Sequence, residues 1–309
     1  MNFKKPKFWD YKKISLWTII LIPFTIIYLL IFNIIKAFKP LKKFSIPIIC
    51  IGNIYVGGTG KTPLAKEIFA IMKSLKKNPA FIKKPYDYLN DEIQMLKETG
   101  KTFLFKDRRE GILSLINNNH DVAILDDGFQ DFSIKPNFSI LCFNSKQLIG
   151  NGYVIPSGPL REHLSAISRA HCIIINGNKN LEFENKIRQK LKKDLKSNIF
   201  YSKYKIENLN KFQNKQITAF AGIGNPSNFF DLLKENNLYI KREYSFPDHY
   251  KYSNKDFEKI IGDKSDNIIT TEKDFYRLSD DQKQYCDYIK VNLEIENKNK
   301  LKDLIEAYL

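Results

Sequence analysis

Hydrophobic positions along the chain fall into runs of two very different lengths. The first is Ile14 to Ile35, ISLWTIILIPFTIIYLLIFNII, 22 residues without a charge. As a helix it reaches about 33 Å, enough to cross the hydrocarbon layer of a bilayer. A continuous apolar run of this length is unusual for a core helix of a soluble domain. Pro23 predicts a kink within it. Lys12 and Lys13 flank one end, and Lys36 and Lys39 the other. Trp9, Tyr11 and Trp17 stand where interfacial aromatic rings are expected. No small-residue cleavage site follows, so the run reads as an anchor rather than a signal peptide.

The remaining runs are short, apolar and β-branched. Ile46–Ile51, Val122–Leu125, Ser139–Phe143, Cys172–Ile175, Ile217–Ala221 and Ile268–Thr270 read as buried strands. Helical periodicity lies between them, over Leu64–Ser74, Asp91–Lys97 and Glu110–Asn117. This alternation predicts an α/β fold, a mainly parallel sheet flanked by helices. The stretch from Lys179 to Lys215 is charged, Asn-rich and weakly apolar, and a domain boundary is expected near residues 200–212. Three parts follow: a membrane-anchor helix over 1–43, a nucleotide-phosphate domain over 44–205, and a smaller α/β domain over 206–309.

Composition adds two constraints. Of 309 residues, 43% are hydrophobic, ample for a core, and the net charge is +16. Residues 1–43 hold nine lysines and one acid, Asp10, so eight of those charges lie there. A basic terminus fits nucleic acid or an anionic membrane. The apolar run between the lysines decides for a membrane, and no nucleic-acid partner is expected. Cys50, Cys142, Cys172 and Cys286 are scattered without a Cys-x-x-Cys pair, and read as reduced thiols on a cytosolic face.

The richest chemistry is Gly57-Gly58-Thr59-Gly60-Lys61-Thr62-Pro63, set between a strand pattern and a helix pattern. Strand, glycine turn, Lys-Thr and helix is the layout of a nucleotide-phosphate cradle. Glycines let backbone N–H groups turn inward, and the helix start adds its positive dipole end. Lys61 can reach the β- and γ-phosphates of a nucleotide held there, and the Thr62 hydroxyl can ligate Mg²⁺. The strict pattern wants Gly five residues before Gly60, and that position is Tyr55. Further on, Val122 to Leu125 ends in Asp126-Asp127-Gly128-Phe129-Gln130, an acidic strand end suited to Mg²⁺ or its water shell. The loop Gly150 to Glu162, GNGYVIPSGPLRE, is stiffened by glycine and proline and presents Arg161, which can either pair with phosphate in a bidentate fork or pair with Glu162 in a rigid connector. Phe246-Pro247-Asp248-His249-Tyr250 sets a histidine beside an acid in a turn. Thr270-Thr271-Glu272-Lys273-Asp274 follows a strand and reads as a helix cap.

Taken together these pieces resemble the tetraacyldisaccharide 4'-kinase family of Gram-negative bacteria. The matching segments are IGNIYVGGTGKTP, DDGFQ, GNGYVIPSGPLRE, the Ala219–Phe230 run, FPDHY and TTEKD, in the family's order over most of residues 46–278. The resemblance implies transfer of the ATP γ-phosphate to a sugar hydroxyl of an anionic, membrane-embedded glycolipid. Catalysis would lie on the cytoplasmic face of the inner membrane, among inner-membrane lipids, with a monomer expected. It implies nucleotide contacts at Gly57, Gly58, Thr59, Gly60, Lys61 and Thr62. It also implies metal contacts at Thr62, Glu92, Asp126 and Asp127, and substrate contacts at Arg161 and Gln130. The family's Gly-Asp-Glu segment corresponds to Asn90-Asp91-Glu92, and its Asp, with His249, is taken to activate the sugar hydroxyl. Lys61, Asp91 and His249 are thus the catalytic expectation. Where the family has Ser-Arg-Gly-Tyr-Gly, this chain reads Ile82-Lys83-Lys84-Pro85-Tyr86-Asp87, and Lys83 or Lys84 is expected to supply the charge. The competing reading is a membrane-associated regulatory P-loop ATPase without a metabolic substrate.

Overall fold

The structure, a computed structural model, describes residues 5–11, 13–86, 89–190, 198–262 and 267–309. Lys12, expected at the flank of the apolar helix, and Asp87, in the Lys83–Lys84 stretch, lie outside the described residues. The chain forms two compact units. The larger holds residues 5–84, 99–203 and 294–309; the smaller holds 85–98 and 204–293.

The larger unit is built on an eight-stranded sheet. Its strands in chain order are β1 (Ile48–Gly52), β2 (Pro79–Lys83), β3 (Thr102–Leu104), β4 (Val122–Asp126), β5 (Phe138–Asn144), β6 (Cys172–Asn176), β7 (Ile199–Ile206) and, far later, β12 (Val291–Ile295). They lie in the order β12-β7-β6-β5-β1-β4-β2-β3. The β1–β4, β1–β5, β2–β3, β2–β4, β5–β6 and β6–β7 pairs are parallel. β1, β2, β4 and β6 are buried along their whole length, as continuous apolar runs require when helices cover both faces. Helices α2 (Lys61–Ser74) and α4 (Arg108–Asn117) join β1 to β2 and β3 to β4. β1 lies between β4 and β5, with the chain running from β1 to β2 on one side of it and later passing from β4 to β5 on the other. Their carboxyl ends form the crevice where doubly wound sheets bind ligands.

Strands β2, β3, β7 and β12 were not expected from the apolar runs. β2 is short and begins on Pro79, and β7 carries Lys203 and Lys205 among its apolar residues. The Lys179–Lys215 stretch, read as weakly apolar, thus contains both β7 and helix α5 (Leu181–Arg188). The chain passes to the smaller unit within β7 and returns within β12. Helix α10 (Lys298–Glu306) therefore belongs to the larger unit, and Tyr308 after it sets its ring 4.7 Å from His171 and 5.4 Å from Phe138.

Helix α1 (Leu16–Ala37) carries the long apolar run. It is capped by Ser15, whose hydroxyl accepts from the Thr18 N–H at 3.1 Å. One stripe of α1 is fastened to the larger unit along its length. Asn151 donates to Thr18 at 3.3 Å, Thr25 donates to Ser157 at 2.8 Å, and Tyr28 donates to the Arg161 carbonyl at 2.9 Å. Phe32 then meets Phe132 edge-on, and the Lys36 ammonium lies 4.8 Å from the same ring. The opposite face, from Leu16 and Trp17 to Ile34 and Ile35, is exposed.

The smaller unit has a four-stranded, all-parallel sheet. Its strands β8 (Gln216–Ala221), β9 (Tyr239–Ser245), β10 (Asn267–Thr271) and β11 (Asp287–Ile289) lie in the order β11-β10-β8-β9. Helices α6 (Pro226–Glu235) and α7 (Asn254–Ile261) follow β8 and β9, and α8 (Glu272–Arg277) and α9 (Asp280–Lys283) follow β10. Residues 85–98 bring helix α3 (Asn90–Thr99) into this unit, although the sequence places them between β2 and β3.

Gly52 ends β1 directly beneath the acidic turn. A Cβ there would lie 2.5 Å from Phe129 Cβ and 3.0 Å from its backbone N. Gly52→Ala therefore forces two backbones apart and should cost about 1–3 kcal/mol, the usual range for overpacking. A thermal melt should show a clear fall in Tm, whereas an unchanged Tm would mean that the acidic turn can move away freely.

Candidate functional site

The glycine turn sits at the carboxyl end of β1. Gly57 and Gly60 have φ of 124° and 86°, which only glycine adopts readily. Space is open beyond Gly58, where a Cβ would meet nothing within 4 Å. Gly60 is the N-cap of α2, whose first turn carries no acid and so leaves its N–H groups and dipole end to an anion. Pro63 is tolerated in that turn because its missing N–H has no intrahelical partner to lose. Asn53 staples the turn, donating to Thr59 at 2.9 Å and to the Gly57 carbonyl at 3.2 Å.

Tyr55, at the position of the missing glycine, does not line the turn. Its ring is fully buried in the core with Ile54, Phe129 and Leu160. Its hydroxyl receives the Lys5 ammonium at 2.9 Å and donates to Asp10 at 3.2 Å. The loop carrying Arg161 backs the turn, with Val56 N–H on the Pro159 carbonyl at 2.8 Å and Arg161 N–H on the Ile54 carbonyl at 2.7 Å.

Across from the turn, β4 ends in the acidic pair. Asp126 is fully buried, and its Oδ2 accepts from the Thr62 hydroxyl at 3.2 Å and the Lys83 ammonium at 2.5 Å. Asp127 adopts a left-handed φ of 59° and turns its carboxylate toward Arg161 at 2.9 Å and Lys61 at 3.8 Å. Gln130 donates to Glu162 at 2.9 Å and to the Asn53 carbonyl at 3.0 Å, and accepts from Arg161 at 3.2 Å. Arg108, which sequence reading missed, clamps the same turn from α4. Its guanidinium donates to the Asp127 carbonyl at 2.7 Å and pairs with Asp131 at 3.1 Å. Nothing in its local sequence marks it, because only the β3–α4 crossover brings it there. Lys61, Thr62, Asp126, Asp127, Gln130 and Arg161 thus gather in the larger unit. The residues present suit a hard divalent cation. Asp126 Oδ1 is buried without a hydrogen-bond partner, beside the Thr62 hydroxyl, and both are oxygen donors.

The smaller unit collects the other expected residues around an arginine that was not foreseen. Arg277 ends α8 and pairs with Asp91 of α3 through both Nε, at 3.0 Å, and Nη2. It also donates to the Gly222 carbonyl at 2.7 Å and to Asp274 at 3.1 Å, and its Nη2 lies 3.4 Å from His249 Nδ1. The hydrogen bonds of Asp91 go to Arg277 and to the Glu92 N–H, so Arg277 is the group that links Asp91 with His249. His249 is held in a left-handed turn, φ 56°, by its N–H on the Gly222 carbonyl at 3.1 Å. Glu92, expected at the metal, is paired with Lys273 of α8. The expected cap is present, with Thr271 accepting from the Asp274 N–H at 3.1 Å. Arg277 was legible only as the residue three positions past Asp274, on the same side of a short helix. Burial opposes charge on it, but Asp91 and Asp274 outweigh that and push its pKa up.

A sheet with a glycine cradle at its topological switch, a Lys-Thr pair and an acidic strand end defines a P-loop phosphotransferase. The model of the family described as tetraacyldisaccharide-1-P 4'-kinase matches residues 17–309. The chain belongs to that family of ATP-dependent kinases of lipid A biosynthesis. It is 41% identical over 309 residues to a tetraacyldisaccharide 4'-kinase of Pelagibacter ubique, covering 97% of this chain and 96% of that one. It is 31% identical to the enzyme of the same name from Rickettsia canadensis, covering 97% and 96%. Its fold matches that of LpxK from Aquifex aeolicus in complex with ATP with a TM-score of 0.71, at 26% identity over 94% of this chain and 99% of that one.

Asp127 supplies a pH test of the site. Burial alone would raise its pKa from 3.8, but Lys61, Arg161 and Lys83 together hold it down at about 2. A depressed carboxylate stabilises the fold above its unfolded pKa, and the contribution fades as pH falls through the folded one. Between about pH 4 and pH 2 the wild-type melting temperature should therefore fall more steeply than that of Asp127→Asn. Parallel curves across that window would rule out this ion pairing.

Proposed function

We propose that the chain transfers the γ-phosphate of ATP to the 4'-hydroxyl of a tetraacyldisaccharide 1-phosphate glycolipid. The observation that carries this reading is the Gly57–Thr62 turn facing Asp126 and Asp127 across the β1–β4 strand ends. In this reading the turn's N–H groups hold the phosphates. Lys61 neutralises charge on the β- and γ-oxygens, while Thr62 and Asp126 hold Mg²⁺, with Asp127 beside them. Bound Mg²⁺ would neutralise phosphate charge as the bond to the leaving oxygen loosens. Arg161 and Gln130 are assigned to the substrate side, and Arg161 can exchange Asp127 for a phosphate oxygen because both accept the same planar fork. Asp91 and His249 are assigned to activation of the acceptor hydroxyl, with Arg277 holding them together. Residues 1–43 are assigned as the anchor, and the expected division into 44–205 and 206–309 is amended so that 85–98 count with the smaller unit and 294–309 with the larger nucleotide-binding one. Catalysis is assigned to the cytoplasmic face of the inner membrane.

How α1 meets the membrane follows from its fastened stripe. Contacts from Thr18 to Lys36 extend over about 27 Å of helix. A span in this arrangement would carry Asn151, Ser157 and the Arg161 carbonyl into hydrocarbon, where such groups are costly. A helix lying in the interface plane with its exposed Leu16–Ile35 face in lipid avoids this. Trp substitutions at Ile20, Ile27 and Ile34, seven residues apart on that face, should then be quenched to similar depth by brominated lipids, and washing with about 1 M salt should not release the protein. Quenching deepest at residue 27, with shallow ends, would reverse the assignment to a span.

The direct test of the function is phosphotransfer from ATP to a disaccharide 1-phosphate glycolipid in detergent. Lys61→Ala should lower kcat by about 10² or more, as for loss of a preorganised charge donor. Asp91→Ala and His249→Ala should each lower kcat, with the double variant little worse than the more damaging single one, as for groups acting as a unit. ATP turnover that ignores the glycolipid would favour the regulatory ATPase reading instead.

A further inference from the structure

Lys83 is the last residue of β2, and the β2–β4 register runs Pro79↔Val122 to Ile82↔Leu125. One step further along the same register sets Lys83 beside Asp126, on the same face of neighbouring strands. The result is a closed ion pair at the acidic strand end. The Lys83 ammonium lies 2.5 Å from Asp126 Oδ2, with side-chain exposures of 3% and 0%. The same Oδ2 accepts from Thr62, while Oδ1 is buried without a partner. Lys83 also acts on Asp127, where its charge adds to those of Lys61 and Arg161. Lys84, the other candidate for this charge, is only partly buried, and burial followed by the nearby Arg108 charge lowers its pKa.

We propose that the Lys83 ammonium is a tethered cation on Asp126 that competes with the divalent cation of the bound nucleotide, so that Lys83 sets how much divalent cation this kinase needs. The proposal rests on the nucleotide reading of the site. A carboxylate removed from water needs a positive partner, and without one it strongly destabilises the fold. Lys83 supplies that partner in the metal-free protein. A divalent cation that draws on Asp126 and Thr62, directly or through its water shell, must then share the carboxylate with an ammonium and bear its repulsion at short range. By linkage, whatever Lys83 adds to the metal-free state it subtracts from cation affinity. The neutral variant should accordingly be less stable without metal and bind metal more tightly.

The experiment is a Mn²⁺ titration, followed by electron paramagnetic resonance, of the full-length protein in detergent with a non-hydrolysable ATP analogue. The same samples are melted with and without Mn²⁺. Lys83→Met and Lys83→Gln should tighten Mn²⁺ binding by at least about fivefold, the lower end of ordinary site-to-site coupling. They should also lower the metal-free Tm and gain more Tm on adding Mn²⁺ than wild type does. Lys73→Met, a charge removed from the exposed end of α2, should stay within about twofold of wild type, as screening predicts. In Lys83→Met combined with Asp126→Asn the tightening should vanish. Unchanged or weaker Mn²⁺ binding in the single variants, with the analogue still bound, overturns the proposal. So does tightening that persists in the double variant. A Lys83→Met chain that is unfolded without metal should fold when Mn²⁺ is added, and failure to do so counts equally against it. Analogue binding is read separately by its own titration, and wild-type protein that does not bind the analogue at all would sink the nucleotide reading itself.

Discussion

The acidic end of β4 is the constraint around which the larger unit is arranged. Two adjacent carboxylates, one fully buried, cannot be left there without compensation, since an unpaired buried charge destabilises a fold by several kcal/mol, about 3–5 for a broken pair. Compensation comes from three separate places in the chain. Lys83 arrives from β2, Lys61 from α2 and Arg161 from the loop before β6, while Arg108 of α4 holds the turn through the Asp127 carbonyl. Each is delivered by a different crossover, so the parallel order of the sheet and the charge balance of the site are one requirement. In the proposed reading the same basic groups would attract the phosphates of a bound nucleotide, and the acidic pair holds them in position.

A second dependency links the apolar helix α1 to this site. The loop that carries Arg161 is packed on one side against the glycine turn and on the other against α1. Tyr55 extends the link, because its ring fills the core under the turn while its hydroxyl is held by Lys5 and Asp10. Trp9 is buried nearby and donates to the Pro156 carbonyl at 3.0 Å. The N-terminal segment is thus part of the wall behind the glycine turn as well as an exposed apolar surface. This accounts for Tyr55 at a position where the strict motif has glycine. The backbone there is extended support, and a large ring fixes it better than a flexible residue would.

In the smaller unit, Arg277 plays the part that the basic ring plays in the larger. Asp91, Asp274 and the Gly222 carbonyl converge on one guanidinium, which its fixed fork of donors can satisfy at once. His249 and Asp91 are therefore organised through a cation rather than by direct contact. A lysine could not reproduce this, having a single charged point in place of a planar fork.

Many elements of this protein are legible in its sequence, and burial explains which ones. The legible strands, such as Cys172–Ile175 and Ser139–Phe143, are those buried on both faces, where burial demands an unbroken apolar run. Of the strands that escape notice, β7 and β12 are interrupted by charged residues at and next to the sheet edge, where composition is no guide, while β2 is buried but short and begins on Pro79. In the site, Gly57–Thr62 and Asp126–Asp127 are visible because their chemistry needs neighbours in sequence: a turn, a helix start, a strand end. The pairings of Lys83 with Asp126, Arg108 with Asp131 and Arg277 with Asp91 are not visible, since an ion pair between residues 43 positions apart, as Lys83 and Asp126 are, leaves no local pattern. The sequence by itself determined the elements, the cradle and the apolar helix, because these follow from local periodicity and backbone chemistry. Only the tertiary structure decided which cation neutralises which buried carboxylate, and that α1 lies fastened along the protein, because both depend on which surfaces the folded chain brings within a few ångströms of each other.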